Sequence, residues 1–591
     1  MCCSIIGIIS SKNVVAPALV DSLKRMEYRG YDSVGVATLA TTNRISVRKG
    51  IGKVNQVNSS LNLTEMEGFV GIGHSRWATH GGVTDYNAHP HPCCTEDIAV
   101  VHNGIIENYL PLKEELVKKG HRFRSETDTE VIAHLLEDHY NASRDIKAAM
   151  LETVSQLEGS YAFVAMFANG SLACARLDEP LVIGVSDNAY YASSDVLGFL
   201  QYTDQAMFLD NRDIAIIDRD GAHIFTFAGE PVTRGVTKVA WELADVNKGE
   251  FAHYTIKEIF EQRTSVKAAT YQEEHKIKVF CDTIAAAGNI IVTGSGTSYH
   301  TSLITSMAGC RALKKRFEPV MASEFKYNMD SIDKDTVVLA ISQSGETADV
   351  LSATKLARAA GAKILSIVNV STSSLARAAD VSLAINSGPE IGVAATKSFT
   401  GQVSLAYSVL DRISGGRIGF DRDAVSDKIT KMLAGSAAIE RLVNVTMPKV
   451  NDIYLLGRSI HFPIALEGAL KMKELAYVHA EGIAAGELKH GPLALMDKNA
   501  VVFVLNPDDK TYGDTLSSAH EVKTRGAKII GISNVSNDIY DAMIEIPKME
   551  NELLYPLVEV IPLQLFSYYL ALRNNVDPDF PRNLAKSVTV K

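Results

Sequence analysis

The chain has 591 residues, too many for one hydrophobic core, so we expect about two to four domains. Hydrophobic residues make up 46% and charged residues 22%, as in an ordinary globular protein, and the net charge of -10 argues against a nucleic-acid partner. The sequence shows no apolar run near the roughly 20 residues that span a bilayer, which predicts a protein without membrane contact. Its seven cysteines show no Cys-x-x-Cys spacing, and we expect a cytoplasmic protein with reduced thiols.

Two adjacent cysteines, Cys2 and Cys3, precede the apolar run Ile5–Ile9. A cysteine that becomes the first residue after processing carries a thiol and a free α-amine, which together can serve as nucleophile and base. The alternative is an incidental pair of thiols before an edge strand. The residues downstream decide between these two interpretations.

Up to about residue 240, short β-branched runs alternate with Gly, Asn and Asp, and this pattern predicts an α+β domain. The predicted strands are Ile5–Ile9, Phe69–Gly73, Ile98–Val101 and Tyr161–Phe167, and the predicted helices are Val15–Met26 and Thr129–Leu136. A charged, poorly patterned stretch at Val239–Thr270 then predicts a linker that contains one helix, Thr255–Gln262.

From about residue 283 the pattern changes to a strand, a glycine turn and a helix, and this unit occurs twice. Three apolar strands of the first copy return 163 to 165 residues later in the same order: Asn289–Gly294 as Asp452–Gly457, Val337–Ala340 as Val501–Val504, and Gly361–Leu365 as Gly526–Ile530. Because these strands lack polar alternation, we expect two doubly wound parallel sheets with ligand sites beyond the carboxyl ends of their strands.

Polar clusters stand at the ends of apolar runs in the first part of the chain. Singly, each has a structural explanation, since Asn-Gly is a common turn and Thr-Asp-Thr-Glu an ordinary helix start. Together, behind a terminal cysteine, they resemble the N-terminal-nucleophile glutamine amidotransferase domain over about residues 3–240. The motifs that carry the resemblance are Tyr28–Ser33, Ser75–His80, Asn87–His91, His102–Gly104 and Ser125–Glu130.

The resemblance implies an αββα sandwich and a set of roles in glutamine cleavage. The Asn103 side chain and the Gly104 N–H would stabilise the oxyanion. Arg76 and Asp128 would pair with the carboxylate and the ammonium of glutamine. The remaining glutamine-binding residues implied by the motifs are Trp77, Thr79, His80 and His89.

The position of the nucleophile stays open between two cysteines. The family begins Met-Cys-Gly, with a second Gly four residues after the nucleophile. Here Gly7 lies four residues after Cys3, and Ser4 stands where the family has Gly, so this register favours Cys3. Removal of Met1 alone would expose Cys2 instead, and Cys3 would then lack a free α-amine.

In the second part, Gly294–Ser298 and Ala340–Thr347 place hydroxyls and glycines at helix starts directly after strands, which is typical of an anion site. No Gly-Lys-Ser/Thr follows, so a phosphorylated small molecule fits better than a nucleoside triphosphate. A capped helix without a ligand is the alternative. This part resembles a pair of sugar isomerase domains, and the resemblance assigns the phosphate to Ser298, Ser342, Gln343, Ser344 and Thr347.

In the second copy, Glu467, Lys471 and Glu474 share one face of a predicted helix. A solvated ion-pair face is the ordinary explanation. However, His490 follows in a glycine-flanked turn, and a carboxylate beside a histidine suits ring opening and C1–C2 proton transfer in a ketose.

Both resemblances occur together, in this order, in the glutamine–fructose-6-phosphate aminotransferase (isomerising) family, whose tail also resembles Pro581–Val590. The resemblance implies that ammonia released from glutamine aminates fructose 6-phosphate, giving glutamate and glucosamine 6-phosphate in the first step of hexosamine synthesis. Lys586 would form an imine with the open-chain ketose, His490 would assist ring opening, and Glu474 would move the C1–C2 proton, with Glu467 and Lys471 in support.

We expect a homodimer without a cofactor, and without a metal because ligand-type residues do not cluster at metal spacing in the sequence. Alternatives are an amidotransferase acting on another phosphorylated ketose, an enzyme limited to isomerisation by an unprocessed N-terminus, and a non-enzymatic sugar-phosphate sensor. The expected segments are an amidotransferase domain at 3–240, a linker and helix at 241–282, sugar isomerase domains at 283–420 and 445–576, and a catalytic tail at 577–591.

Overall fold

The computed structural model describes residues 3–78, 81–239, 241, 246–446 and 452–589. They form two compact units, one of Met1–Asp245 with Ala585–Lys591 and one of Val246–Leu584. Each unit has its own layered architecture, as expected of a chain this long.

The first unit contains five α-helices and fifteen strands within the described residues. The helices are α1 (Ala16–Arg25), α2 (Val54–Leu61), α3 (Tyr109–Lys118), α4 (Glu130–Ser143) and α5 (Ile146–Gln156). The strands are β1 (Ser4–Ser10), β2 (Ser33–Leu39), β3 (Ile45–Ile51), β4 (Val70–Arg76), β5 (His91–Pro92), β6 (Ile98–Ile106), β7 (Gly159–Phe167), β8 (Leu172–Leu177), β9 (Val182–Val185), β10 (Ala189–Ser193), β11 (Gln205–Phe208), β12 (Asp213–Ile217), β13 (Ala222–Thr226), β14 (Pro231–Val232) and β15 (Val236–Lys238).

These strands form two antiparallel sheets, ordered β15-β11-β9-β10-β1-β4-β2-β3 and β14-β13-β12-β8-β7-β6-β5. The sheets face each other across a buried apolar layer to which both contribute, with Ile5 and Ile72 from one and Val101 and Val164 from the other. Helices α1 and α2 pack on the outer side of the first sheet, and α4 and α5 on that of the second. The expected αββα sandwich is therefore confirmed.

The second unit contains eleven α-helices and ten strands within the described residues. The helices are α6 (Tyr254–Ala268), α7 (Glu274–Ala286), α8 (Thr297–Leu313), α9 (Ala348–Ala359), α10 (Ser374–Ala378), α11 (Lys397–Ser414), α12 (Arg422–Ala434), α13 (Ser436–Arg441), α14 (Phe462–Ala476), α15 (Tyr512–Thr524) and α16 (Pro556–Arg573). The strands are β16 (Asn289–Gly294), β17 (Phe317–Met321), β18 (Thr336–Ser342), β19 (Lys363–Val368), β20 (Val381–Ala384), β21 (Asp452–Gly457), β22 (His479–Ala484), β23 (Val501–Leu505), β24 (Lys528–Ser533) and β25 (Ala542–Glu545).

Both sheets of this unit are parallel and have the same strand order, β17-β16-β18-β19-β20 and β22-β21-β23-β24-β25. The sequence repeat relates strands that lie 163 to 165 residues apart. These strands occupy equivalent places in the two sheets: β16 corresponds to β21, β18 to β23 and β19 to β24. The predicted pair of doubly wound sheets is confirmed.

The segment expected to be a linker is more structured than its charged sequence indicates. Ile259, Val266 and Phe280, from α6 and α7, are buried in the main apolar core of the second unit. The first turn of α6 is held by Asp579, whose carboxylate accepts hydrogen bonds from the Tyr254 and Thr255 N–H groups, both at 2.8 Å. The beginning of the polar tail is thus a packed part of the fold.

One described helix segment departs from the sequence expectation about apolar runs. Glu552–Arg573, which includes α16, is long and apolar enough to cross a membrane by length and composition alone, with a mean hydropathy of 1.3. However, 94% of its most apolar window is buried inside the protein, which is the usual environment of a core helix.

Candidate active sites

The first candidate site surrounds Cys3, which lies directly before β1. Because Ser4 pairs with Ser75 in the sheet, Cys3 faces the end of β4. Its Sγ accepts a hydrogen bond from the Trp77 N–H at 3.1 Å. Its carbonyl oxygen accepts hydrogen bonds from Asn103 Nδ2 at 2.9 Å and Arg29 Nε at 3.2 Å. The buried thiol is thus held between the ends of two strands, beside a backbone donor that favours its charged form.

Opposite charges lie close to this thiol. Burial lowers the pKa of the Arg76 guanidinium, and nearby Cys3, Asp128 and Asp32 act in the opposite direction. Arg76 donates to the carbonyl oxygens of Gly81 and Gly82. The Asp128 carboxylate, just before α4, accepts from the Ile106 N–H at 2.8 Å. The structure therefore brings together three of the residues predicted for glutamine cleavage.

The neighbouring strand β6 carries the two predicted oxyanion donors. Asn103 Nδ2 donates to the Cys3 carbonyl oxygen, and Asn103 Oδ1 accepts from His74 Nε2 at 3.1 Å. Both polar atoms of the side-chain amide are therefore held in place. Gly104 has φ +115°, and a Cβ there would lie 2.0 Å from the Ser160 carbonyl oxygen. Only glycine fits this position.

His89 lies among buried histidines that stand beside Asn103. Its ring stacks on His74 with centroids 4.1 Å apart, and burial, with smaller contributions from His74 and His91, lowers its pKa well below the ordinary value. Of the other residues predicted for this site, the structure describes only some. The Trp77 ring meets the Tyr31 ring edge-on at 5.5 Å, whereas Cys2, Thr79 and His80 lie outside the described residues.

The second candidate site lies at the carboxyl ends of β16 and β18, where the strand order of the first parallel sheet reverses. Ligands of doubly wound sheets bind at this kind of position. Helices α8 and α9 begin here, and the loop Ser342–Thr347 connects β18 to α9. Ser298, Ser342, Gln343, Ser344 and Thr347 all lie in these two connections or at the helix starts.

The Ser342–Thr347 loop is shaped by its own hydroxyls. Ser342 Oγ accepts from the Gly345 N–H at 3.0 Å and lies 3.3 Å from Thr347 Oγ1, while Ser344 Oγ accepts from the Glu346 N–H at 3.1 Å. Gly345 has φ +67°, and a Cβ there would lie 2.0 Å from Ser373 Oγ. The residue types of the loop are therefore required by its tight turn as well as by any anion.

Thr297, next to Ser298, connects this site to the second copy of the repeat. Its hydroxyl donates to Glu467 Oε1 at 3.0 Å and accepts from Lys471 Nζ at 3.1 Å. Lys471 also donates to Glu474 Oε2 at 2.5 Å. Two hydrogen bonds therefore lead from the residue beside Ser298 to the carboxylate predicted to move a proton.

The face formed by Glu467, Lys471 and Glu474 is not solvated. The side chains of Glu467 and Lys471 are 0% exposed, and Glu474 is 21% exposed. Burial lowers the pKa of Lys471, but Glu467 and Glu474 raise it further, so the net pKa lies above its ordinary value. The ammonium is held charged between two carboxylates, which excludes the ordinary surface explanation for this part of the helix.

Sequence analysis missed two further members of this network. His300 Nδ1 lies 2.6 Å from Glu467 Oε2, and Gln402 Nε2 donates to Ser298 Oγ at 3.1 Å. His300 is two residues after Ser298 in the chain, so its neighbourhood could have drawn attention to it. Gln402 lies on α11, far along the chain, and no local motif marks it.

The last two predicted catalytic residues, His490 and Lys586, belong to different units. His490 is exposed at the end of the short helical segment Ala485–His490. Lys586 is partly buried and belongs to Ala585–Lys591, which groups with the first unit rather than the second.

In the second parallel sheet, side chains fill the position equivalent to the predicted phosphate site. By the repeat offset, His461, Asn506, Asp508 and Asp509 stand where the first copy has Ser298, Ser342, Ser344 and Gly345. Asp509 accepts from the Thr511 N–H at 2.7 Å, directly before α15. His461 lies 2.9 Å from Asp509 and 2.8 Å from Glu559. A carboxylate thus occupies the helix start that would otherwise attract an anion.

Comparisons with known proteins cover the whole chain. A family model described as "SIS domain" matches residues 283–411 and 447–573, and one described as "Glutamine amidotransferase domain" matches residues 76–201. The glutamine–fructose-6-phosphate aminotransferase [isomerizing] of Thermococcus kodakarensis is 43% identical over 605 residues, and the protein of the same name from Pyrococcus horikoshii is 42% identical over 601 residues. Each alignment covers 100% of both proteins.

Solved structures resemble the second unit. The C-terminal domain of glucosamine-fructose-6-phosphate aminotransferase from Francisella tularensis is 31% identical with a TM-score of 0.50. That alignment covers 56% of this chain and 99% of that one.

Proposed function

This chain belongs to the glutamine–fructose-6-phosphate aminotransferase (isomerizing) family, and on that premise we propose which of its residues carry out each part of the reaction. The enzyme transfers the amide nitrogen of glutamine to fructose 6-phosphate, isomerises the product to glucosamine 6-phosphate and releases glutamate. A non-enzymatic sensor and an amidotransferase for another ketose are not favoured.

The observation that carries the assignment in the first unit is the grouping of a thiol with opposite charges at strand ends. Cys3 attacks the side-chain amide of glutamine, and its thiolate is supported by the Trp77 N–H. Arg76 and Asp128 bind the carboxylate and the ammonium of the substrate. Asn103 and Gly104 stabilise the oxyanion, and water then releases glutamate from the thioester. The amide nitrogen leaves as ammonia and passes to the second unit.

In the second unit, Ser298, Ser342, Gln343, Ser344 and Thr347 bind the phosphate of fructose 6-phosphate at two helix starts. Glu474 moves the C1–C2 proton, and the Lys471 ammonium, 2.5 Å away, fixes its orientation. Glu467 holds Lys471 in place from the other side. His490 assists ring opening, and Lys586 forms the imine with the open-chain sugar.

The remaining expectations are proposals as well. The chain acts as a cytoplasmic homodimer, and its chemistry needs no organic cofactor because ammonia transfer and enolisation involve no net redox change. None of the six described cysteines forms a disulfide, which suits a reducing compartment.

The nucleophile can be tested on the purified full-length protein by intact mass and N-terminal sequencing together with a glutaminase assay. We expect the active form to begin at Cys3 and Cys3→Ala to abolish glutamine hydrolysis, because the attacking atom is lost. Cys2→Ala is the matched control and should keep glutaminase activity. Both variants should keep phosphosugar isomerisation, since that chemistry lies in the other unit. Glutamine hydrolysis that survives both substitutions would exclude a terminal cysteine nucleophile.

A further inference from the structure

Four side chains of metal-ligand type converge in the first unit, away from the residues assigned to glutamine. Cys94 lies in the loop between β5 and β6, His121 follows α3, and His134 and Glu137 lie one turn apart on α4. One ligand atom from each lies within 4.8 Å of all the others. His134 and Glu137 are buried, whereas Cys94 and His121 lie nearer the surface, which leaves a path for an ion to enter.

Five of the six separations between the ligand atoms are close to those between the corners of a small tetrahedron. Cys94 Sγ lies 3.7 Å from His121 Nδ1 and 3.7 Å from His134 Nδ1. The two Nδ1 atoms are 3.2 Å apart, and Glu137 Oε2 lies 3.1 Å from the first and 3.5 Å from the second. Zinc binds sulfur at about 2.3 Å and nitrogen or oxygen at about 2.0–2.2 Å, so the corners of its tetrahedron lie about 3.3–3.6 Å apart. We propose that Cys94, His121, His134 and Glu137 bind one Zn²⁺.

Neighbouring groups orient the four side chains for metal binding. His121 points its other ring nitrogen at Asp138 Oδ1, 2.7 Å away, whereas Glu130 Oε1 lies 3.6 Å from His134 Nε2, beyond hydrogen-bond distance. Zinc-binding histidines typically carry such a carboxylate on the nitrogen that does not bind the metal. Cys94 Sγ accepts from the Arg122 N–H at 3.3 Å, which fixes the position of the sulfur.

Glu137 is also fixed from outside the cluster. Its Oε1 accepts from the Thr95 N–H at 2.8 Å, and its Oε2 accepts from the Cys94 N–H at 3.1 Å. The loop that carries the thiol therefore orients the carboxylate as well.

An ion-pair network is the main alternative, because each histidine lies near carboxylates. That explanation accounts for Glu137 and Asp138, and one imidazole can donate to the other at 3.2 Å, but it gives no role to the thiol. A Zn²⁺ ion uses all four side chains, and one thiolate and one carboxylate balance its charge. The sulfur ligand also disfavours Mg²⁺ and Ca²⁺, which prefer oxygen.

The fold brings together ligand-type residues that do not cluster at metal spacing in the sequence. Only His134 and Glu137 are close in sequence, and the fold supplies the other two ligands from separate loops. With all four positions taken by protein ligands, the ion would be structural rather than catalytic. It would attach the loop before β6 and the end of α3 to α4. Because β6 carries Asn103 and α4 follows Asp128, the ion would stiffen the wall of the glutaminase site.

The test is metal analysis of the full-length protein, expressed with added zinc and dialysed against metal-free buffer. We expect one zinc per chain in the parent and less than about a tenth of that in Cys94→Ala, since a lost thiolate greatly weakens a structural site. Cys93→Ala is the matched control, because it removes the adjacent thiol and should keep its zinc. A parent without zinc, or a Cys94→Ala variant with full zinc, would overturn the proposal.

A second measurement keeps the proposal testable if Cys94→Ala folds poorly. The parent is stripped with a chelator and titrated with Zn²⁺ against a chromophoric competitor, and then with Co²⁺. We expect a thiolate-to-cobalt absorption band in the parent and an affinity about 10–100-fold lower in Asp138→Asn, which removes the carboxylate behind His121. His139→Asn, on the same helix but outside the cluster, should match the parent. A parent without the thiolate band, or equal affinity in Asp138→Asn and the parent, would contradict the site.

Discussion

At the scale of single residues, the second unit is marked by charges that the fold has buried. Lys471 and His461 are both 0% exposed, and each lies between two carboxylates. Removing charges from water is costly, and their mutual attraction offsets that cost only when the geometry is close. Lys471 orients the carboxylates to which we assign catalytic roles, whereas His461 fills the position equivalent to the proposed phosphate site of the first copy. Both side chains belong to the second copy of the repeat, so one kind of buried ion pair has two roles there.

His461 gives a pH-dependent prediction. Burial lowers its pKa, but Glu559 and Asp509 raise it further, to about 9. The stabilisation is therefore fully present below the ordinary pKa of histidine, about 6.5, and is lost as the pH rises through about 9. A shift of this size corresponds to roughly 3 kcal/mol, so we expect the melting temperature of the second unit to exceed that of a His461→Gln variant by several degrees near pH 6.

The measurement is thermal unfolding of both proteins from pH 6 to pH 10. Other groups titrate in this range, so the informative quantity is the difference between the parent and His461→Gln. That difference should shrink as the pH rises, because the parent loses the charge that the variant never had. A difference that stays constant over the range would show that His461 contributes by packing alone.

At the scale of elements, the two copies of the repeat have the same strands but different loops at the point where the strand order reverses. The first copy presents hydroxyls and a glycine before α9, and the second presents Asp508 and Asp509 before α15. Negative side chains at a helix start repel a phosphate. We therefore infer one sugar-phosphate site per chain, in the first copy.

The loop Ser342–Thr347 can be tested directly. Replacing Ser344 and Thr347 together by Ala should raise the KM for fructose 6-phosphate about tenfold or more, because charge-assisted hydrogen bonds to the phosphate are lost. The KM for glutamine should change little. The matched control is Thr511→Ala at the equivalent position of the second copy, which should leave the sugar-phosphate KM unchanged. If the double variant also leaves it unchanged, the loop only caps α9.

Elements were predictable from the sequence where the signal is local. Strand periods and glycine turns placed β16, β18 and their copies correctly, because each pattern is contained in a few neighbouring residues. Burial was not predictable in the same way. The spacing of Glu467, Lys471 and Glu474 predicted that they share one helix face. Whether water or α8 covers that face depends on residues about 170 positions away in the chain. The Cys94 cluster was hidden for the same reason.

At the scale of the whole molecule, an ammonia-producing unit and a sugar-converting unit share one chain, and Ala585–Lys591 groups with the first of them. Thr589 Oγ1 donates to Glu179 within that unit at 2.8 Å. Burial raises the pKa of the Glu179 carboxyl to about 7, with smaller opposing contributions. The described part of the tail, as far as Thr589, is therefore anchored in the first unit, and we infer that it is more than a frayed terminus.

Lys586 lies in this anchored segment, and the proposed imine at its amine gives the last prediction. The neutral amine of a lysine condenses with the carbonyl of an open-chain ketose to form an imine. Lys586→Arg keeps the positive charge but cannot form an imine, so it should eliminate amination of fructose 6-phosphate while glutamine hydrolysis continues. Lys591→Arg, the other lysine of the tail, is the matched control and should behave as the parent.

The imine itself can be trapped. Borohydride added with fructose 6-phosphate should attach the sugar to Lys586 in the parent and in Lys591→Arg, as shown by peptide mass spectrometry, and should leave Lys586→Arg unlabelled. Reduction fixes the bond only where the amine has condensed with the open-chain ketose, so the labelled residue identifies the nucleophile. If Lys586→Arg makes glucosamine 6-phosphate at the parent rate, or the label falls on another lysine, the tail is structural and the amination proceeds without it.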